Sequence, residues 1–95
     1  MYEVSVMRGL PKRGEHFQNT KTGDTYDVIE ILPLGVKPPG FAVNANNGKH
    51  YLTEAQVLYS KGALTYYRKV DEFMGLRFDE KQKAYVTRFI RTKVL

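Results

Sequence analysis

Proline and glycine divide this chain into short pieces, and that division limits what it can fold into. Eight Gly and four Pro are spread over 95 residues. Proline lacks a backbone donor and glycine weakens the interior of helices and strands, so regular elements tend to end near these residues. There is no internal repeat, low-complexity tract or linker composition. We therefore expect one small domain over residues 1–95, built from short elements.

The pieces in the first third of the chain carry patterns typical of strands. Tyr2–Met7 alternates apolar and polar residues, which predicts a first strand. Phe17 and Tyr26–Leu32 flank a polar loop that contains Gly23, whose freedom to adopt positive φ suits a hairpin. Pro33 should end the second arm of this hairpin.

The middle of the chain contains two further turn signals and one helical signal. Pro38–Gly40 predicts a turn that returns the chain into Phe41–Val43. Asn47-Gly48 is a strong two-residue hairpin signal. Its expected pairs are Val43 with Leu52 and Asn44 with Tyr51. Thr53–Leu58 opens with the Thr-x-x-Gln form of a capping box, so we expect a helix of at most two turns there.

The last third of the chain is rich in strand-forming residues. Ala63–Val70 predicts a strand, and Met74–Phe78 and Ala84–Val94 predict two arms around a polar loop over 79–83. Asp79-x-x-Gln82 with the spacing of Val86, Phe89 and Ile90 fits a helix instead, but aromatic and β-branched residues dominate this segment and favour a strand. The sequence thus predicts a mainly β protein, or an α+β protein with one short helix. Its expected form is a small, strongly bent antiparallel sheet or barrel of about six short strands.

One stretch is similar to a known group of small barrels. It runs Lys12-Arg13-Gly14-Glu15-His16-Phe17 and then Gly23-Asp24-Thr25-Tyr26-Asp27-Val28-Ile29-Glu30-Ile31. The basic-Gly-acidic start, the Gly turn and the Tyr-x-Val strand resemble the opening of SH3-like barrels, including those of translation factors resembling elongation factor P. The resemblance covers about a fifth of the chain and implies a fold rather than an activity.

Composition excludes several classes of protein. Without cysteine, disulfide scaffolds, thiol nucleophiles and cysteine-ligated zinc are ruled out. The longest apolar run, Ile31–Val36, is far shorter than the roughly 20 residues of a membrane span. The N-terminus lacks the pattern of a secretory signal, so we expect a cytoplasmic protein without a membrane partner.

Catalytic and metal-binding patterns are also missing from the sequence. His16 and His50 do not stand at metal-ligand spacing. Acidic residues cluster in the predicted first hairpin, a pattern that more often marks a solvated face than an acid–base pair. These residues are Glu15, Asp24, Asp27 and Glu30. We expect no cofactor and no enzymatic activity.

The net charge of +5 is concentrated at one end. Residues 1–80 contain ten basic and ten acidic residues, whereas 81–95 contain five basic residues and no acid. On a strand, alternation would place Lys83, Tyr85, Thr87, Phe89, Arg91 and Lys93 on one face. Interleaved rings and cations suit single-stranded nucleic acid, because rings stack on bases and cations contact phosphates. The alternative is that the two rings belong to the core.

A second aromatic and basic segment, Tyr66–Lys69, would widen this surface if its strand lay beside the last one. The candidate nucleic-acid-binding residues are therefore Lys81, Lys83, Tyr85, Arg88, Phe89, Arg91, Lys93, Tyr67, Arg68 and Lys69.

Two functions follow from these observations. The first is a non-catalytic basic β module that binds DNA or RNA, preferably single-stranded. The second is a protein-interaction module, such as a phage or mobile-element accessory protein that modulates a host protein, because exposed aromatic and basic residues also suit protein interfaces. An exposed strand edge would in addition allow self-association.

Overall fold

The computed structural model describes residues 10–48 and 54–92. The described residues form eight strands and one short helix. These are β1 (His16–Asn19), β2 (Thr25–Leu32), β3 (Val43–Asn44), β4 (Gln56–Lys61), β5 (Leu64–Lys69), α1 (Val70–Phe73), β6 (Leu76–Asp79), β7 (Ala84–Thr87) and β8 (Phe89–Thr92). The prediction of a mainly β protein is confirmed.

Six of these strands form one sheet in the order β3-β5-β4-β2-β1-β8, and β6 and β7 form a separate two-stranded sheet. Neighbouring strands are antiparallel except β3 and β5, which are parallel. The edge strands β3 and β8 are not paired with each other in the described part of the chain. The open-sheet form of the prediction is confirmed, and the closed-barrel form is wrong.

The first hairpin forms as its turn residues predict. β1 and β2 pair with Phe17 opposite Tyr26, and Gly23 in the connecting turn has a φ of +83°. An L side chain is strained at that φ, which explains why glycine suits the turn. β2 ends at Leu32, directly before Pro33.

An aromatic core lies on the inner face of the bent sheet. Its buried members are Phe17, Val28, Val57, Tyr59, Phe73 and Phe89. The irregular register of β2 against β4 between Val28 and Glu30 marks a β-bulge, which bends a strand and increases its twist. Phe89 of β8 and Phe73 of α1 contact each other in this core.

The predicted helix over Thr53–Leu58 is wrong. Thr53 lies outside the described residues, and Gln56–Lys61 is strand β4, which lies between β2 and β5. Three consecutive residues of β4, Val57–Tyr59, are buried. A strand covered on both faces reads as a continuous apolar run, and burial on both faces outweighs a local capping signal.

The hairpin predicted at Asn47-Gly48 extends beyond the described residues, because its second arm, with Tyr51 and Leu52, lies there. The predicted first arm forms the short strand β3, which pairs in parallel with Tyr66 and Tyr67 of β5. The predicted strand Tyr2–Met7 also lies outside the described part.

The C-terminal segment is extended, as predicted, but it is not one strand. β6 and β7 form the expected hairpin. The extended segment is then interrupted at Arg88, and β8 pairs with β1 at the edge of the main sheet. At the break, the Arg88 N–H donates to the Gly75 carbonyl at 3.0 Å, and the Arg88 carbonyl accepts from the Thr20 N–H at 3.0 Å. The faces of β7 and β8 are therefore set independently.

Candidate functional site

A cleft of about 700 Å³ separates two hairpin turns. One wall is the β1–β2 turn, with Asn19–Lys21, and the other is the β6–β7 turn, with Phe78–Gln82. Arg68 of β5 and Arg88 at the β7–β8 break also line it. Turns from distant parts of the sequence thus meet at a surface rich in arginine and lysine.

Thr20 connects the two walls of the cleft by hydrogen bonds. Its hydroxyl donates to the Thr87 carbonyl at 2.6 Å and accepts from Arg77 Nε at 3.2 Å. These contacts join the β1–β2 turn to the β6–β7 hairpin, since both partners belong to the hairpin. The walls are therefore held by hydrogen bonds as well as by packing.

Asp79 shapes the β6–β7 turn. Its carboxylate accepts from the Gln82 N–H at 3.1 Å and from Arg77 Nη1 at 3.3 Å, and Lys83 completes the turn with a φ of +56°. Desolvation would raise the pKa of Asp79, but the hydrogen bonds from Gln82 and Arg77 and the charge of Arg77 hold it below its ordinary value of 3.8. The carboxylate is thus ionised at neutral pH and compensates part of the charge of Arg77.

A buried carboxylate lies between two arginines at the base of the cleft. Glu72 Oε2 accepts from Arg68 Nη1 at 2.9 Å and lies 3.9 Å from Arg88 Nη2. The same carboxylate accepts from the backbone N–H of Asn47 at 2.9 Å. The Glu72 and Arg68 side chains are 8% and 9% exposed. Glu72 therefore anchors the segment after β3 and holds the two guanidinium groups near each other.

Arg88 is the less satisfied of these two arginines. Its Nε is buried and has no hydrogen-bond partner among the described residues. Desolvation lowers the pKa of the Arg88 guanidinium and the charge of Arg68 lowers it further, whereas Glu72 raises it. Arginine nevertheless remains protonated at neutral pH, so the cleft contains a partly buried and incompletely compensated positive charge.

The cleft as a whole is positive. Its lining includes five cations and two acids, which are Lys21, Arg68, Arg77, Lys81 and Arg88 against Asp79 and Glu80. Counting Glu72 with the acids leaves a net charge of +2. Lys21 and Lys81 are exposed and form no ion pair with any described residue. Such a surface attracts anions.

One member of an exposed aromatic pair lines the cleft. Phe78 lines it and is paired with Tyr85 across β6 and β7, with ring centroids 5.2 Å apart in an edge-to-face arrangement. Phe78 is 44% exposed and Tyr85 is 69% exposed. Rings that remain this exposed beside a positive cleft are available to stack on a planar ligand.

The structure brings together some of the predicted site residues. Arg68, Arg88 and Lys81 line the cleft, and Lys83 and Tyr85 lie on the hairpin that forms one wall. Lys83 is exposed and lies 3.6 Å from Glu80. Lys93 lies outside the described residues.

The predicted face that interleaves rings and cations on one continuous strand does not form. Phe89 is 2% exposed and belongs to the core, whereas Tyr85 faces solvent. The break at Arg88 separates them, since the strand on each side has its own orientation. The alternative in which a predicted ring is part of the core is therefore correct for Phe89 and wrong for Tyr85.

The predicted widening of this face by Tyr66–Lys69 is also wrong. β5 is separated from β8 in the sheet by β4, β2 and β1. Lys69 pairs with Glu54 at 2.9 Å, and Tyr67 lies on β5 between β3 and β4. Arg68 approaches Phe89 only across the core, with its guanidinium carbon 5.6 Å from the ring centroid.

The Arg91 guanidinium also interacts with other residues of the chain. Its guanidinium forms an ion pair with Glu15 at 3.0 Å, donates to the Leu10 carbonyl at 3.0 Å, and lies over the Phe17 ring at 4.9 Å. The predicted concentration of charge in residues 81–95 is therefore partly cancelled by acids from the first 80 residues.

Sequence reasoning missed Lys21, Arg77 and Phe78. The sequence contains a positional signal for two of these residues. Lys21 stands in the predicted β1–β2 turn, and Phe78 precedes the predicted loop over 79–83 at the position that faces Tyr85 in a hairpin. Nothing in the local sequence indicates that the two turns lie side by side.

Three of the four acidic residues of the first hairpin contact an arginine, lysine or histidine side chain. Glu15 contacts Arg91, Asp24 contacts Lys61 at 2.8 Å, and Asp27 contacts His16 at 2.5 Å. Within the described ranges, no group of three or more His, Asp or Glu side chains could hold a metal ion.

Comparisons with known proteins give no family assignment. No protein-family model, curated protein or solved structure matches this chain. Over the ranges 10–48 and 54–92, the structure contains no helix with the length and apolar character needed to span a membrane.

Proposed function

We propose that this protein is a non-catalytic module that binds single-stranded nucleic acid in the cleft between the β1–β2 and β6–β7 turns. The observation that carries the proposal is that a cleft of net positive charge is lined by Phe78, whose exposed ring packs edge to face against the exposed ring of Tyr85. Phosphates would contact the cations, and a base would stack on the rings.

The cations suit phosphate in both position and chemistry. Lys21 and Lys81 stand on opposite walls, and Arg88 lies between them at the base. Arginine presents a planar fork of donors that matches phosphate oxygens, and lysine presents a compact charge. Backbone contacts of this kind bind a strand without reading its sequence.

The rings favour a single strand over a duplex. Stacking on Tyr85 or Phe78 requires a base whose face is free, and bases inside a duplex are already stacked on each other. Aromatic stacking tolerates any base, so binding should depend weakly on sequence.

Fluorescence polarisation with labelled single-stranded and duplex DNA and RNA tests the proposal. If Lys21, Lys81, Lys83 and Arg88 neutralise about four phosphates, the slope of log affinity against log salt is about −3, so a fourfold rise in salt weakens binding about 50-fold. The double substitution Lys21→Gln with Lys81→Gln should make the slope shallower by about 1.4.

The matched control removes two exposed charges elsewhere. Arg13→Gln with Lys37→Gln changes the net charge equally, but neither residue lines the cleft. If both double variants weaken binding equally, net charge rather than the cleft is responsible. No measurable affinity for any nucleic acid at about 50 mM salt, which favours even non-specific binding, would overturn the proposal.

A second candidate function, binding to another protein, is favoured by a different surface. The connection between β2 and β3 exposes Leu34 at 75% and Phe41 at 76%, and Val36 and Val43 are about half exposed. Contiguous exposed apolar residues are typical of protein interfaces. Failure of the nucleic-acid assay would leave this second function as the better supported one.

A further inference from the structure

The base of the cleft contains a guanidinium group that the chain itself does not fully satisfy. The Arg88 side chain is 17% exposed, and its buried Nε has no hydrogen-bond partner among the described residues. Its ion pair with Glu72 is long, at 3.9 Å, because the same carboxylate oxygen accepts from Arg68 at 2.9 Å. A buried donor without an acceptor costs free energy, and a bound anion would remove that cost.

The charge at this base indicates which anion fits. The cleft and Glu72 together carry a net charge of +2. An internal phosphodiester carries one negative charge, whereas a terminal phosphate carries roughly 1.5 to 2 at neutral pH. A terminal phosphate also has three oxygens free to accept hydrogen bonds, which matches several donors arriving from different elements.

The donors do arrive from different elements. Arg88 comes from the β7–β8 break, Arg77 from β6 and Lys21 from the β1–β2 turn, and all three line the cleft. Arg77 Nε is held by the Thr20 hydroxyl at 3.2 Å, so its position is set before any ligand binds. Preorganised donors lose little conformational entropy on binding.

We infer that the base of the cleft binds the terminal phosphate group of a nucleic-acid strand, with Arg88 as its main contact and Arg77 and Lys21 beside it. This inference deepens the proposed function and rests on it. To present its Nε edge to the phosphate, the Arg88 side chain gives up only its long contact with Glu72. The bound nucleic-acid strand then leaves the cleft past Phe78 and Tyr85.

The test compares strands that differ only at their ends. Single-stranded oligonucleotides of about ten nucleotides carry a 5′ phosphate, a 3′ phosphate or hydroxyls at both ends, each with an internal fluorophore. We expect one phosphorylated strand to bind the wild-type protein about tenfold or more tightly than the hydroxyl strand, because charge-assisted hydrogen bonds in a partly buried site contribute at least that much.

A pH series separates a terminal phosphate from general charge. The second pKa of a phosphate monoester is about 6, so the preference should shrink as the pH falls from about 7.5 to about 5.5. The hydroxyl strand controls for titration of the protein, because it meets the same protein groups without a monoester.

Variants identify the contact. Arg88→Gln should reduce the preference for the phosphorylated end to near onefold, and Arg88→Lys should retain only part of it, since lysine lacks the planar fork. Lys37→Gln, at an exposed position outside the cleft, should leave the preference unchanged. Far-UV circular dichroism checks that each variant is folded, and the comparison of strands on the wild-type protein stands without any variant.

The outcomes separate the two proposals. Equal affinity for all three strands at about 50 mM salt overturns the terminal-phosphate inference and leaves nucleic-acid binding intact. If no strand binds, the proposed function fails. Inorganic phosphate then tests separately whether the base of the cleft binds a phosphate group. A rise in the melting temperature of the wild-type protein with phosphate at constant ionic strength, lost in Arg88→Gln, supports the site, and no rise overturns it.

Discussion

The rings of Phe73 and Phe89 stack face to face, with centroids 4.2 Å apart and planes 8° from parallel. Phe73 ends the short helix α1, and Phe89 begins the edge strand β8. Both side chains are almost completely buried. The contact therefore attaches the last described strand to the core, and the buried Phe89 ring is not accessible to a ligand.

Phe89→Ala should lower the free energy of unfolding by about 3 to 5 kcal/mol, because it removes a buried ring and leaves a cavity. Urea denaturation measures this loss. Tyr85→Ala is the matched control, since Tyr85 is an aromatic residue of the same segment that is mostly exposed. Its expected change is about 1 kcal/mol or less, because only the cross-strand contact with Phe78 is lost. Equal destabilisation by the two substitutions would contradict the placement of Phe89.

Tyr85→Ala should instead weaken binding of single-stranded nucleic acid by about 1 to 3 kcal/mol, because a stacking surface is lost. The salt slope should stay unchanged, since no charge is removed. Phe41→Ala, at another exposed ring far along the chain from the hairpin, should leave affinity unchanged. A steeper or shallower slope for Tyr85→Ala would mean that the ring affects the phosphate contacts.

Glu72→Gln should destabilise the fold by about 3 to 5 kcal/mol, because it leaves Arg68 buried without its anionic partner. Adding Arg68→Met should recover part of this loss, with a coupling of about 0.5 to 3 kcal/mol between the two positions. A double-mutant cycle in urea measures the coupling. Additive effects would show that the pair contributes nothing beyond its separate side chains.

Gly75→Ala should destabilise the protein by about 1 to 3 kcal/mol through steric overpacking. A Cβ at this position would lie 2.7 Å from the Asp71 carbonyl oxygen, which belongs to α1 and cannot move freely. Gly40→Ala is the control, since a Cβ there meets nothing within 4 Å. Thermal melts of both variants check the difference, and similar melting temperatures would contradict it.

Stability should fall in acid partly because of Glu15. Desolvation would raise the pKa of this carboxyl. Hydrogen bonds from the Arg91 side chain and the Lys12 backbone N–H, together with the positive charges of Arg91 and Lys12, hold the pKa below its ordinary value of 4.5. A group with a depressed folded pKa contributes stability above its unfolded pKa and loses it as the pH falls through the folded value.

Urea midpoints measured from neutral pH to pH 3 test this dependence. Glu15→Gln should flatten the decline below about pH 4.5, whereas Glu30→Gln, at an exposed carboxyl with no ion pair to a described residue, should leave it in place. Identical curves for the wild type and Glu15→Gln would show that the Arg91 contact does not stabilise the fold.

Local turn chemistry made the β1–β2 and β6–β7 hairpins predictable from the sequence alone. Gly23 between β1 and β2, and the polar loop between β6 and β7, connect strands that are only a few residues apart, so the information needed lies within each turn. The mainly β class follows for the same reason, because aromatic and β-branched residues prefer extended backbone wherever they stand.

The candidate site depends on contacts between distant segments, and those were decided by the tertiary structure. Arg91 is neutralised by Glu15, 76 residues earlier, and Thr20 reaches Thr87, 67 residues later. Counting charge along the chain cannot reveal such pairs. Whether an aromatic residue is buried or exposed is equally non-local. The interruption at Arg88 places the two rings on different sheets: Phe89 packs against Phe73 in the core, whereas Tyr85 lies on the two-stranded sheet and is 69% exposed.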